Sequence, residues 1–256
     1  MKSLVIVGGA GRMGQALGEG LSALEQFLVF ALVDEHEPPQ LFGAAYVSSL
    51  DEIDPNEVDV VIDFSSPQGV VSSATWCAEN GVALVIGTTG LSKEQRRVVE
   101  ESATRTGVVM ASNFSIGAVL SERFAAMAAP YFERAEIIEL HHDRKVDAPS
   151  GTSITTATAI ANARRVSGLA PLRDPTTRHT IDGARGADAI DGVKVHSVRL
   201  PGLVAHQEIL FGSVGEGLTI RHDSFDRQSF VHGVALASIA IDATPKFLDG
   251  IASLIP

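Results

Sequence analysis

The chain has 256 residues, 45% hydrophobic and 5% aromatic, with a formal net charge of −11. That composition supplies one large core or two modest ones and argues against disorder. The negative charge and the scarcity of aromatics argue against nucleic acid or anionic membrane as partners, and an anionic ligand needs a local cationic pocket. Residues 4–7, Leu-Val-Ile-Val, form a short, fully apolar run, the mark of a strand buried on both faces. The run is too short for a signal-peptide core, and no later run would span a bilayer. Gly8, Gly9, Ala10, Gly11, Arg12, Met13 and Gly14 follow directly. Met13, Leu17, Leu21 and Leu24 then recur at helical spacing, and residues 27–33 read as a second strand ending at Asp34.

This βαβ unit has a glycine-rich first turn and an acid twenty residues beyond Gly14. Gly8 permits the tight turn, Gly11 lets a pyrophosphate approach the backbone, and Gly14 lets helix and strand pack closely. Asp34 is placed to accept hydrogen bonds from an adenosine ribose. The spacing G-x-x-G-x-x-G is a variant of the commoner G-x-G-x-x-G. With strand, helix and acid all in place, a dinucleotide site outweighs a plain turn.

The alternation continues. Residues 58–64 read as a strand ending in Ser65, Ser66 and Pro67; residues 68–80 as a helix stopped by Gly81; residues 83–86 as a buried strand ending in Gly87, Thr88, Thr89 and Gly90. The helix contains Cys77, the single cysteine, which rules out an intrachain disulfide or a cysteine zinc site and suits a reducing cytoplasm. Ser92 and Gln95 form a capping box for the next helix, and residues 107–111 form a strand ending in Ser112, Asn113 and Phe114. Strands alternating with helices predict an α/β fold with a Rossmann-type, doubly wound parallel sheet, which binds ligands beyond the carboxyl ends of its strands.

After Phe114 the pattern changes. A connecting helix is expected over 117–132 and a strand over 135–140. Next come His141, His142, Asp143, Arg144 and Lys145, then Pro149, Ser150, Gly151 and Thr152 before a helix over 153–165. Two imidazoles, an ammonium and a guanidinium thus precede a helix N-terminus, whose free N–H groups suit a carboxylate, with Ser150 or Thr152 as cap. Taken alone, a His pair is more often a hydrogen-bonded strand edge than a site. Residues 166–192 read as a long surface excursion, 193–200, 205–211 and 218–222 as strands, and 230–247 as an apolar helix broken by Pro245. These imply a second, α+β domain with an open mixed sheet. The expected division is a dinucleotide-binding domain over 1–112, completed by a C-terminal helix over 228–256, and a substrate-binding and oligomerisation domain over 113–227.

The stretch His-His-x-x-Lys-x-Asp-Ala-Pro-Ser-Gly-Thr resembles the signature of the dihydrodipicolinate reductase family, most like its actinobacterial members. The glycine loop, Asp63-Phe64-Ser65, residues 87–90, Asn113-Phe114-Ser115 and Gly183-Ala184-Arg185-Gly186 follow in the family's order. The resemblance implies reduction of a cyclic dicarboxylic imine to tetrahydrodipicolinate, in diaminopimelate and lysine biosynthesis, with NADH or NADPH. It implies His141 as catalytic acid, Lys145 as catalytic lysine, and His142, Gly151 and Thr152 as substrate contacts. Cofactor contacts would fall on residues 8–13, Asp34, Gly87, Thr88, Thr89, Ser112, Asn113 and Phe114, and the assembly would be a homotetramer. Many members that favour NADPH carry Arg after the acid at the second strand end; here Glu35 follows Asp34, so NADH is expected to be at least as good. No metal is expected. Two other readings remain, another two-domain imine or amino-acid reductase and a dinucleotide-binding redox sensor, since fold does not determine substrate.

Overall fold

The apolar run at the N-terminus becomes β1 (Lys2–Val7), an interior strand of a seven-stranded sheet. In the computed structural model, which describes all of residues 1–256, the chain forms two compact units: residues 1–116 with 227–256, and residues 117–226.

The first unit alternates strand and helix. Its elements are β1, α1 (Arg12–Ser22), β2 (Phe27–Val33), β3 (Ala45–Val47), β4 (Val60–Asp63), α2 (Pro67–Asn80), β5 (Ala83–Ile86), α3 (Lys93–Ser102) and β6 (Gly107–Met110). After β6 come α4 (Ile116–Ala128), nearly all of which belongs to the second unit, and much later α6 (Val231–Ala240) and β12 (Lys246–Asp249). The strand order is β12-β6-β5-β4-β1-β2-β3, and every pairing is parallel. Every residue of β4 and β5 is buried, as expected of strands covered on both faces. Two predicted local signals are present as read: the Ser92/Gln95 capping box opens α3, and Gly81 ends α2 in the left-handed conformation, φ 67°.

The second unit contains β7 (Arg134–His141), α5 (Gly151–Val166), β8 (Ala187–Ile190), β9 (Val193–Arg199), β10 (Ala205–Ser213) and β11 (Glu216–Ser224). Its sheet runs β11-β10-β7-β9-β8; β7 and β9 are parallel and the other pairs antiparallel, so the sheet is mixed and open. Its core joins Ala135 and Ile137 of β7 to Ala157 and Ile160 of α5.

Two expectations need correction. The C-terminal helix predicted over 228–256 is only α6; the chain then forms β12, a parallel edge strand beside β6. Lysines take up the carbonyls at the end of α6: Lys2 Nζ reaches Ser238 O (2.9 Å) and Lys246 Nζ reaches Ala240 O (3.1 Å). Pro245 cannot continue a helix. The excursion over 166–192 is not wholly on the surface. Leu172 is buried in the second core, and β8 pairs with β9. The short edge strands β3, β8 and β12 were absent from the sequence reading. No helix is long and apolar enough to cross a membrane.

Gly233 of α6 lies directly under the Phe114 carbonyl, where a Cβ would overlap the oxygen. Gly233→Ala is expected to lower unfolding stability by about 1–3 kcal/mol through overpacking. Urea unfolding of the two proteins, followed by circular dichroism, checks this.

Candidate active site

Three strand ends of the first unit form one cleft. It is lined by Gly8 and Gly11 after β1, by Asp34 and Glu35 after β2, by Ser48, and by Phe64, Ser65, Ser66 and Gly69 after β4. The loop geometry leaves no room for side chains. Gly8 has φ +85°, and a Cβ there would lie 2.6 Å from the Phe64 carbonyl oxygen; a Cβ on Gly14 would overlap the Gly8 carbonyl. α1 starts at Arg12 with no side-chain cap on its N-terminus. Ala10 N–H donates to Asp34 Oδ2 (2.9 Å), which orients the carboxylate beside the loop. The N–H groups of the uncapped helix start suit a pyrophosphate, and the oriented Asp34 carboxylate, an acceptor, suits a ribose.

Asp63 organises the neighbouring loop. It is fully buried and accepts hydrogen bonds from Ser65 N (3.0 Å), Ser65 Oγ (2.8 Å), Ser73 Oγ (2.6 Å) and Thr88 Oγ1 (3.0 Å). The Thr88 hydroxyl is therefore committed inside the protein, whereas Thr89 is exposed. Gly87 faces the Phe64 ring so closely that a Cβ would overlap it. Phe114 is fully buried, its ring 5.7 Å from that of Phe64. Ser112 is exposed, and Asn113 Oδ1 accepts from Ser115 N (2.9 Å). Ser65, Ser66 and Gly69 line the cleft but were not among the predicted site residues. Their signal was the Ser-Pro helix start after a buried strand: Ser66 caps α2 by accepting from Gly69 N.

In the second unit, His141 is the last residue of β7, and Lys145 lies in the following turn, where its N–H donates to His142 O (3.2 Å). The chief partners of both residues escaped the sequence reading. His141 Nδ1 hydrogen-bonds Glu139, which is fully buried. Arg199 grips the same carboxylate with both terminal nitrogens, Nη1 to Oε2 and Nη2 to Oε1, each 2.8 Å. Burial by itself would raise the Glu139 pKa. Hydrogen bonds from His141, Arg199 and Ser197 outweigh burial and lower it to about 2. Lys145 Nζ meets both oxygens of Asp147 (2.8 and 2.9 Å), which holds the Asp147 carboxyl below its usual range. Arg199 Nη2 also donates to the Asp147 carbonyl (2.7 Å), tying the loop to β9. Glu139 was detectable as a charge in the inward-facing row Ala135, Ile137, Glu139, and Asp147 stands in the signature stretch itself; Arg199 carried no such mark.

His142 Nδ1 is buried without a hydrogen-bond partner. Of the two expected caps of α5, Ser150 performs the role, accepting from Ser153 N (3.2 Å). Gly151 opens the helix, exposed, and a Cβ there would meet nothing within 4 Å. No packing inside the protein demands glycine at that position.

Family models agree with this architecture. Residues 2–114 match the N-terminus of dihydrodipicolinate reductase and residues 117–254 its C-terminus. The chain is 46% identical to the 4-hydroxy-tetrahydrodipicolinate reductase of Mycolicibacterium vanbaalenii, across 98% of this chain and 97% of that protein. It is 44% identical to the enzyme of the same name from Corynebacterium diphtheriae, across 90% and 88%. Among solved structures, dipicolinate-bound dihydrodipicolinate reductase from Paenisporosarcina sp. TG-14 superposes with a TM-score of 0.88 at 37% identity, covering all of both chains. A myo-inositol dehydrogenase from Corynebacterium glutamicum shares the fold at 14% identity and TM-score 0.57, across 94% and 87%.

Because its pKa is depressed in the folded state, the Glu139 carboxylate stabilises the fold fully above its ordinary pKa of 4.5, and that contribution is lost as pH falls through about 2. Glu139→Gln is expected to lower stability on the order of 3 kcal/mol at neutral pH. The gap should narrow steadily below about pH 5. Denaturant unfolding of both proteins across that range measures it; a gap that does not change with pH contradicts the assignment.

Proposed function

The chain belongs to the dihydrodipicolinate reductase family, and from that membership we propose that it reduces the cyclic imine formed from 4-hydroxy-tetrahydrodipicolinate to tetrahydrodipicolinate, using NADH or NADPH. The reaction belongs to diaminopimelate and lysine biosynthesis, and the enzyme works in the cytoplasm. The observation that carries the reading is the linked set His141, Glu139, Arg199, Asp147 and Lys145, which ties the imidazole and the ammonium of the two proposed catalytic residues into one hydrogen-bonded network.

The first unit is the dinucleotide-binding part. The cleft suits the cofactor by its shape and its donors: residues 8–13 cradle the pyrophosphate, Asp34 takes the ribose, and Gly87, Thr88, Thr89 and residues 112–114 contact the nicotinamide side. When bound, the cofactor supplies the hydride. The second unit is the substrate-binding and oligomerisation part. Gly151 and Thr152 at the start of α5 receive a substrate carboxylate, with room left by the missing Cβ of Gly151, and His142 contacts the substrate as well. Negative charge moves toward the ring nitrogen as the hydride adds. Lys145 stabilises that charge, and His141 delivers a proton to the nitrogen. Because Lys145 is paired with Asp147, a substrate anion must compete with that carboxylate for it. The open sheet of the second unit is the surface through which four copies assemble, and light scattering tests that count.

Asp34 and Glu35 both line the cleft. Two carboxylates repel a ribose 2′-phosphate, with only Arg12 to offset them, so kcat/KM with NADH should equal or exceed that with NADPH. A steady-state comparison of the two cofactors decides it, and a strong NADPH preference contradicts the reading. Lys145→Ala should cut kcat by about a hundredfold or more while leaving NADH affinity near the parent value. An assay coupled to dihydrodipicolinate synthase measures the first and fluorescence titration the second. Pyridine-2,6-dicarboxylate should compete with substrate; an amino-acid reductase or a redox sensor would show no such competition.

A further inference from the structure

Alternate residues of a strand share a face, so Ala135, Ile137, Glu139 and His141 of β7 point to the same side. Ala135 and Ile137 occupy the apolar core against α5, and Glu139 continues their row. An aliphatic side chain there would pack without the cost of taking a carboxylate out of water. The chain keeps the charge and surrounds it with partners set by strand register. In the parallel pairing of β7 with β9, Glu139 lies opposite Ser197 and His141 opposite Arg199.

We propose that Glu139 is the positioning residue for the proton donor: it holds the His141 ring with its proton on Nδ1, so that Nε2 is the nitrogen that delivers a proton to the substrate. The inference rests on the role given to His141 above. It follows from how the carboxylate is shared. Arg199 occupies both oxygens, and His141 Nδ1 shares Oε2 with Arg199 Nη1. A carboxylate accepts only, so the imidazole nitrogen facing it must be the N–H donor. The bidentate guanidinium compensates the buried charge and makes Glu139 a poor base, which keeps the proton on the ring.

The β10 residues opposite Glu139 and His141 carry no charge. β10 places Gln207 opposite Glu139 and Ala205 opposite His141. Both ends of the Gln207 amide are engaged by α5: Oε1 accepts from Ser153 Oγ (2.8 Å), and Nε2 donates to Thr156 Oγ1 (3.0 Å). The loop contributes the Lys145–Asp147 ion pair and the Asp147 carbonyl bound to Arg199. Glu139 is thus the one acceptor that the structure gives His141 Nδ1.

Two measurements test this. The first needs no substitution at Glu139. Protein labelled with nitrogen-15 at histidine, with the His141 signals assigned by their loss in His141→Gln, should show a protonated Nδ1 on His141 whether the ring is neutral or cationic; a bare Nδ1 overturns the proposal. The second is kinetic. Glu139→Gln should lower kcat about ten- to hundredfold while binding of NADH and pyridine-2,6-dicarboxylate stays within about threefold of the parent. Glu139→Asp, which keeps the charge with a shorter reach, should regain part of the loss. Parental kcat in folded Glu139→Gln overturns the proposal; if that variant does not fold, the ring measurement decides. If pyridine-2,6-dicarboxylate fails to bind the parent protein, the substrate assignment falls, and the ring measurement still decides whether Glu139 sets the tautomer.

Discussion

The second unit depends on a buried carboxylate paired with a partly exposed guanidinium. Glu139 and Arg199 lie on neighbouring parallel strands and meet through a two-point contact whose geometry the strand register sets. Taking the carboxylate out of solvent costs several kcal/mol, offset only by close geometry and further hydrogen bonds. Those hydrogen bonds come from His141, from Ser197 and, for Arg199, from the Asp147 carbonyl. The same contacts that stabilise the pair therefore fix an imidazole at the end of β7 and tether the loop carrying Lys145. Stability and the layout of the proposed chemistry arise from one arrangement.

The first unit applies a different constraint to a similar end. Its parallel sheet brings the carboxyl ends of β1, β2 and β4 to one edge, and glycines let the first loop pack closely there. Gly8 and Gly14 are confined by neighbouring backbone, and Gly87 by the Phe64 ring. Asp63 collects the polar groups of three segments around one buried carboxylate, so the Ser65 and Thr88 loops are held together. A ligand bound at that edge meets the uncapped start of α1 and the oriented Asp34 carboxylate.

Much of this was legible in the chain. Continuous apolar runs of four residues marked β1 and β5, the glycine loop marked the first turn, and cap residues marked the limits of α2 and α3. Segments that lack a periodic signal escaped detection. β3, β8 and β12 are three- or four-residue edge strands whose pairing comes from a neighbour, and β12 follows a helix that a simple hydropathy reading would extend through Pro245. Leu172 lies in a polar, proline-rich segment, and only the core it enters accounts for its burial.

The sequence by itself determined the two-part architecture, the nucleotide-type loop with Asp34, and the dense His-Lys-Gly-Thr stretch that points to a dicarboxylic substrate. These follow from local spacing, because strand and helix periods and turn chemistry act over a few residues. Tertiary structure alone decided which groups complete each site. Arg199 is sixty residues from Glu139, Thr88 is twenty-five from Asp63, and Gln207 is fifty-four from Ser153. Contacts at such separations depend on strand order and register, which no local pattern encodes.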